Sequence, residues 1–239
     1  SRVTSSTEVN KTPVLFDTTS AITLTRQNHD QSLIKEKRAV GDGLIQHNAD
    51  GNIILGNDGQ KLTFSHHLDI DMLKQQLKSN ITELCLWEVA IDSQKAQEIG
   101  KILKGSKVEV LNILHGSIEG IDFGMLTDTK VTTLNLAYNG IGNKSVIHLI
   151  KSLKGTNVEA LNLSHNRIGN TGKRAKGLIK LLEKTNVKVL YLSDNNMSDK
   201  KVNDIILELE KNTQIIELGL KDKGIEPSTF KKVLKVLKK

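Results

Sequence analysis

The chain is poor in cysteine and in aromatic residues: one Cys, one Trp, two Tyr and four Phe among 239 residues. A lone thiol, Cys85, excludes an internal disulfide and the Cys-rich end caps of extracellular repeat domains, so the reducing cytosol is the expected compartment. No apolar run approaches the roughly 20 residues of a membrane span, and no secretory signal stands at the start. The glycosylation-like triplet Asn162-Leu163-Ser164 lies inside an expected strand, where a glycan would block sheet formation. Phosphate-binding glycine loops, zinc-ligand spacings and kinase signatures are missing as well, and no cofactor is expected.

What the chain has instead is a period. The spacing apolar, x, x, Leu or Ile, x, Leu or Ile, then an apolar residue five further on, starts at residues 81, 108, 131, 158, 187 and 215. The rows read Ile81/Leu84/Leu86/Ile91, Val108/Leu111/Ile113/Ile118, Val131/Leu134/Leu136/Ile141, Val158/Leu161/Leu163/Ile168, Val187/Leu190/Leu192/Met197 and Ile215/Leu218/Leu220/Ile225. Such a unit cannot bury its own apolar edge, so the units must stack.

A helical signal follows most strands. Ala96/Ile99/Leu103, Val146/Leu149/Leu153, Val202/Ile205/Leu209 and Phe230/Val233/Leu237 share one register, and Ala175/Leu178/Leu182 comes two residues late in the longest unit. The unit at 108 keeps only Phe123 and Leu126 before Val131, which predicts a single turn there. A strand plus a full helix per unit resembles the leucine-rich repeat of the ribonuclease-inhibitor type, over about residues 81–239. The resemblance implies an α/β solenoid, a right-handed horseshoe with a parallel concave sheet and convex helices, of six repeats plus an N-terminal cap. That family places an Asn after the strand to bond backbone groups of the neighbouring turn. Here Asn139, Asn166 and Asn195 are present, and Val89, Gly116 and Lys223 stand at the equivalent positions.

Residues 52–80 read as the N-terminal cap, with a hairpin signal around Gly56-Asn57-Asp58-Gly59 and a helix carrying Ile70, Leu73 and Leu77. Residues 1–51 hold strand-like Val14–Phe16 and Ala21–Leu24, a polar helical stretch from Leu33 to Val40 and a turn-rich connector over 41–51; whether they join the cap or form an arm is left open by the sequence.

The net charge of +7 is uneven, with seven lysines from Lys221 onward. Lys231 to Lys239 reads either as a basic helix for an anionic membrane or nucleic acid, or as the last convex helix with a solvated lysine face, since Phe230/Val233/Leu237 keep the common register. The strand residues that should face the concave side include Glu83, Glu88, Glu109, Glu159, Asp194, Glu217 and Asp222 against Lys188 and Lys221, a face that would repel nucleic acid.

The scarce rings gather on that face. Trp87, Tyr138 and Tyr191 fall at concave positions, with Leu114, His115 and His165 extending the stripe and Glu88 and Asp194 beside it. Large rings with few rotamers to lose dominate interface hot spots. The acids would suit lysine or arginine residues of a partner, as ion pairs or stacked on the rings. The alternative is that Trp87 packs under the cap and the tyrosines cover neighbouring strands. Catalysis is not expected: Ser164, His165 and Asp194 have no oxyanion site, Cys85 reads as an inert strand residue, and His66-His67 reads as a polar cap pair rather than metal ligands.

The lysine-, asparagine- and isoleucine-rich wording resembles the leucine-rich repeat effectors of Legionella-like intracellular bacteria. That resemblance implies an exported protein that acts inside a host cell by binding; the expectation is a non-enzymatic inhibitor or adaptor, a monomer before it meets its partner, that binds a host protein or another bacterial effector.

Overall fold

The computed structural model describes residues 60–169 and 177–237, with the backbone path of 22–25 and 54–55. The expected elements at 14–16, 33–40 and 41–51, the turn at 56–59, Ala175, Lys238 and Lys239 lie outside the described residues.

The leucine columns fix the sheet. β3 (Lys61–Ser65), β4 (Glu83–Trp87), β5 (Val110–Leu114), β6 (Thr133–Asn135), β7 (Ala160–Asn162), β8 (Val189–Tyr191) and β9 (Glu217–Leu220) run parallel in chain order. Leu84, Leu111, Leu134, Leu161, Leu190 and Leu218 occupy one register column, and all are fully buried. Two short strands complete nine: β2 (Ile54–Leu55) pairs antiparallel with β3, and β1 (Ile22–Thr25) pairs antiparallel with β9 at the opposite end.

The cap is continuous with the array. β3 is at once the second strand of the expected hairpin and the first of the parallel sheet, with Leu62 and Phe64 facing Leu84 and Leu86 in register. Residues 60–80 therefore form a seventh, degenerate unit of strand and helix that covers the first full repeat.

Behind the sheet stand α1 (Ile70–Gln76), α2 (Ser93–Lys104), a 3₁₀ turn (Phe123–Leu126), α3 (Asn143–Ser152), α4 (Leu178–Leu182), α5 (Asp199–Leu209) and α6 (Pro227–Leu237). Side-chain caps set the starts of α1, α2 and the 3₁₀ turn: Asp69 accepts from the Met72 N–H, Asp92 from Lys95 and Asp122 from Gly124. The start of α4 is held from the next unit, where the Glu208 carboxylate on α5 accepts from the Gly177 and Ile179 N–H groups. Ala96, Ile99 and Leu103, and their equivalents Val146/Leu149/Leu153 and Val202/Ile205/Leu209, are buried against the sheet as their spacing predicts. The short unit has its single turn, with Phe123 and Leu126 buried, and beside it opens a groove of about 750 Å³ lined by Ile118, Ile121, Phe123, Asn143 and His148.

Candidate functional site: two rows across the strand ends

Each strand ends in a turn that must reverse toward the convex side, and the residue two past the second strand leucine takes the left-handed conformation. His66, Glu88, His115, Tyr138, His165 and Asp194 have φ between 53° and 61°. Six of the eight non-glycine residues with positive φ among the described residues stand at this one repeat position. His, Asn and Asp enter this region most readily among residues with a Cβ; a tyrosine there is unusual and costs roughly 1 kcal/mol or more.

The consequence is a row of side chains at strand spacing along the rim of the concave face. His115 and Tyr138 stack with centroids 4.5 Å apart at 11°, and Tyr138 and His165 at 4.2 Å and 6°. Trp87, one residue before the turn, meets His115 at 4.5 Å with a 42° tilt. Imidazole–carboxylate contacts close both ends: His66 Nδ1 lies 3.0 Å from Glu88 Oε2, and His165 Nε2 lies 3.6 Å from Asp194 Oδ2. Tyr138 remains 46% exposed, His115 is exposed, and Trp87 and Leu114 are half-buried. The row is thus solvent-facing although its members support one another.

One residue further along, the buried row does the opposite work. Asn166 accepts from the N–H groups of Asn139 and Ile141 through Oδ1 and donates through Nδ2 to the carbonyls of Leu136, Leu163 and Ser164. Asn139 accepts from the Gly116 N–H and donates to the carbonyls of Ile113 and Ala137; Asn195 accepts from the Ile168 N–H and donates to Leu163, Leu192 and Ser193. Turns buried between repeats leave backbone groups that water cannot reach, and these amides satisfy them.

Asp222, expected on the concave face, ends this inner row instead. Its Oδ2 accepts from the N–H groups of Asn195 and Met197 at 2.9 Å each, the task that Asn166 performs two turns earlier. Burial raises its pKa more than those donors lower it, with Asp194 adding to the rise. The signal was an acid one residue ahead of the expected ladder position, which Lys223 occupies.

Of the expected site residues, Trp87, Glu88, Leu114, His115, Tyr138, His165 and Asp194 come together on the rim. Tyr191 does not. It is buried to 4% exposure on β8, clusters with Ala160 and Val189, and donates its hydroxyl proton to Glu217 Oε1. Its ring lies over Gly219, where a Cβ would come within 2.2 Å of Cδ1, so the missing side chain makes room for it. His66, expected to be a polar cap residue, joins the outer row.

The charge pattern also differs from expectation. Six of the seven concave acids are engaged within the molecule: Glu83 with Lys61 and Asn112, Glu88 with His66, Glu159 with Lys188, Asp194 with His165, Glu217 with Tyr191 and Asp222 with backbone. Stacking also closes the ring faces of His115 and Tyr138 to a partner's cations and leaves ring edges to meet a ligand.

The remaining reactive groups are quiet. Cys85 is buried, and burial pushes its thiol up to about 11, so the thiolate needed for nucleophilic attack is scarce near neutrality. Among the described residues no three His, Cys, Asp or Glu converge for a metal, and no helix is long and apolar enough to cross a membrane. Lys231, Lys232 and Lys235 are exposed on α6 while Val233 and Leu237 pack inward, the arrangement of the other convex helices.

A leucine-rich repeat family model matches residues 127–149 and 156–175, the two units whose turns carry Asn139 and Asn166. Those two segments match the leucine-rich repeat. The described residues form an α/β solenoid of parallel strands alternating with helices, consistent with that repeat. The solved structure of actin-binding site 2 of leiomodin-1 is similar at 15% identity, covering 70% of this chain and 84% of that chain with a TM-score of 0.41. No curated protein matches the chain in sequence.

Proposed function

We propose that the outer row is the binding surface of a protein-interaction module, with Trp87, Leu114, His115, Tyr138 and His165 as contact residues and Glu88 and Asp194 at its ends. The observation that carries this reading is Tyr138: a large ring, nearly half exposed, is held in a left-handed turn between two imidazoles where a glycine would be easier to accommodate. Strain kept at an exposed position, and rings pre-ordered by stacking, lower the entropy lost when a partner docks. Leucine-rich repeats generally bind other proteins, and the strand plus helix in most units supports the ribonuclease-inhibitor type of array. An inhibitor or adaptor working in a host cytosol, on a host or bacterial protein, is the setting that the resemblance to bacterial repeat effectors adds.

The test is capture of partners from host and bacterial lysates by the whole chain and by a His115→Gly/Tyr138→Gly/His165→Gly variant, followed by affinity measurement with the captured protein. The proposal expects at least a tenfold weaker complex for the variant. Equal affinity would remove the row from the interface.

A further inference from the structure

Each helix leads from the end of one parallel strand back toward the start of the next, so the helices all finish on the edge of the solenoid where strands begin, opposite the ring row. That edge is basic. Lysines stand in the last turns of α1 (Lys74), α2 (Lys101 and Lys104), α3 (Lys151), α4 (Lys180) and α6 (Lys235). Lys78, Lys154, Lys184 and Lys211 follow two residues past the ends of α1, α3, α4 and α5. All ten are exposed, and the same stretches hold four acids, Asp128, Glu183, Glu208 and Glu210. Of these acids Glu208 is engaged at the start of α4. Among the described residues Lys104 is the one lysine of the ten in an ion pair, with Asp128 at 3.6 Å. At the opposite edge both signs mix, with the caps Asp69, Asp92 and Asp122 among Lys95, Lys144 and Arg167.

Helix C-termini carry partial negative charge, which accounts for a lysine at each. It does not account for a groove. Between α1 and α2 lies one of about 530 Å³, floored by Ile70, Leu77 and Ile102 and bordered by Lys74, Lys78 and Lys101. Ile70 and Ile102 pack on the core and remain half-buried. Asp71 and Glu98 also border the groove, and Glu98 accepts from Gln94 Nε2 at 3.4 Å. An apolar floor with an ammonium rim matches an amphiphile, its anionic headgroup on the lysines and its first methylenes on the isoleucines. Nucleic-acid grooves instead combine charge with guanidinium forks and rings on which bases stack. Here the stripe is lysine throughout: Arg167, the one arginine among the described residues, and the stacked rings stand at the other edge. Compact ammonium heads on flexible stems suit diffuse attraction to a charged plane.

We propose that this edge docks on an anionic phospholipid membrane, with one lipid headgroup held by Lys74, Lys78 and Lys101 over the apolar floor and the remaining lysines adding long-range attraction. Docked in this way, the solenoid turns the outer row away from the membrane, toward solvent and a protein partner. The inference stands on the helix ends and is independent of the ring row as a binding surface.

The experiment is co-sedimentation of the full chain with vesicles of phosphatidylcholine alone or with ~30% phosphatidylserine, in ~0.1 M salt. Lys74→Glu/Lys78→Glu/Lys101→Glu tests the groove, and Lys74→Gln/Lys78→Gln/Lys101→Gln does so without adding acids beside Asp71 and Glu98. Lys200→Glu/Lys231→Glu/Lys232→Glu makes the same charge change as the first variant away from the stripe. Thermal unfolding and Trp87 emission report that each chain is folded. The proposal expects binding to the phosphatidylserine vesicles only, falling as salt rises, at least tenfold weaker in the glutamate variant and clearly weaker in the glutamine variant, and within about threefold of the parent in the Lys200/Lys231/Lys232 variant. Absent or equal binding to the two kinds of vesicle, groove variants that bind as the parent does, or an equal loss in the Lys200/Lys231/Lys232 variant overturns it. So does tighter binding to a ~20-base-pair DNA duplex than to the vesicles, which would make the edge a nucleic-acid surface.

Discussion

Residues 138 and 139, 165 and 166, and 194 and 195 are neighbours in sequence with opposite fates. The second of each pair is an asparagine turned inward, where it bonds backbone that water cannot reach; the first points outward in a left-handed turn. The inner row is constrained by accounting: every buried N–H and C=O needs a partner, and few side chains both donate and accept at that reach. The outer row is constrained only in φ, which glycine or asparagine would satisfy. That it carries His, Tyr and His in a stack is a choice the fold does not require, and choices of that kind are where function is written.

The comparison breaks most visibly at Asn166. Asn166→Leu strands two N–H groups and removes a donor from three carbonyls, so unfolding in urea should show a loss of about 4 kcal/mol. On the outer row the large effect moves from stability to affinity. Trp87→Ala or Tyr138→Ala should each weaken the complex by about 2 kcal/mol, read by calorimetry with the captured partner.

Asp222 sharpens the comparison, since it takes an inner-row position without an amide donor. Asp222→Asn should stabilise the fold by about 1 kcal/mol near neutral pH. The sign with pH follows from its raised pKa. The folded state holds the proton more tightly than the unfolded chain, so the aspartate's contribution falls as pH rises from the ordinary carboxyl range through the raised folded value. The advantage of the asparagine should grow across that window and level off above it, measured by denaturation at a series of pH values. The smallest effect belongs to Tyr138→Gly, where relief of the left-handed strain offsets lost stacking: stability should change by less than about 1 kcal/mol.

The leucine columns, the convex helices and the single turn at Phe123–Leu126 were all legible, because burial imposes periods of two and of three to four that a sequence displays directly. Most of the rim residues were legible as neighbours too, since the repeat sets His115, Tyr138 and His165 at one position and Trp87 one residue before it, although alternation alone would turn the first three inward and it is the left-handed turn that points them out. Three things were not. Tyr191, between the two leucines of its strand, was expected on the concave face with Tyr138, but the side chain missing at Gly219 lets its ring lie over β9 and reach Glu217. Asp222 hid one position early in the asparagine column. The pairing of β1 with β9 joins segments almost 200 residues apart, which no local period records.

The central claim is that the outer row serves recognition and not the fold. Its most direct test is the His115→Gly/Tyr138→Gly/His165→Gly chain, measured for unfolding free energy and partner affinity on one preparation. The account predicts stability within about 1 kcal/mol of the parent, because glycine relaxes each left-handed turn, together with at least a tenfold loss of binding. A variant that binds as the parent does, or one that loses more than about 3 kcal/mol of stability, would contradict it.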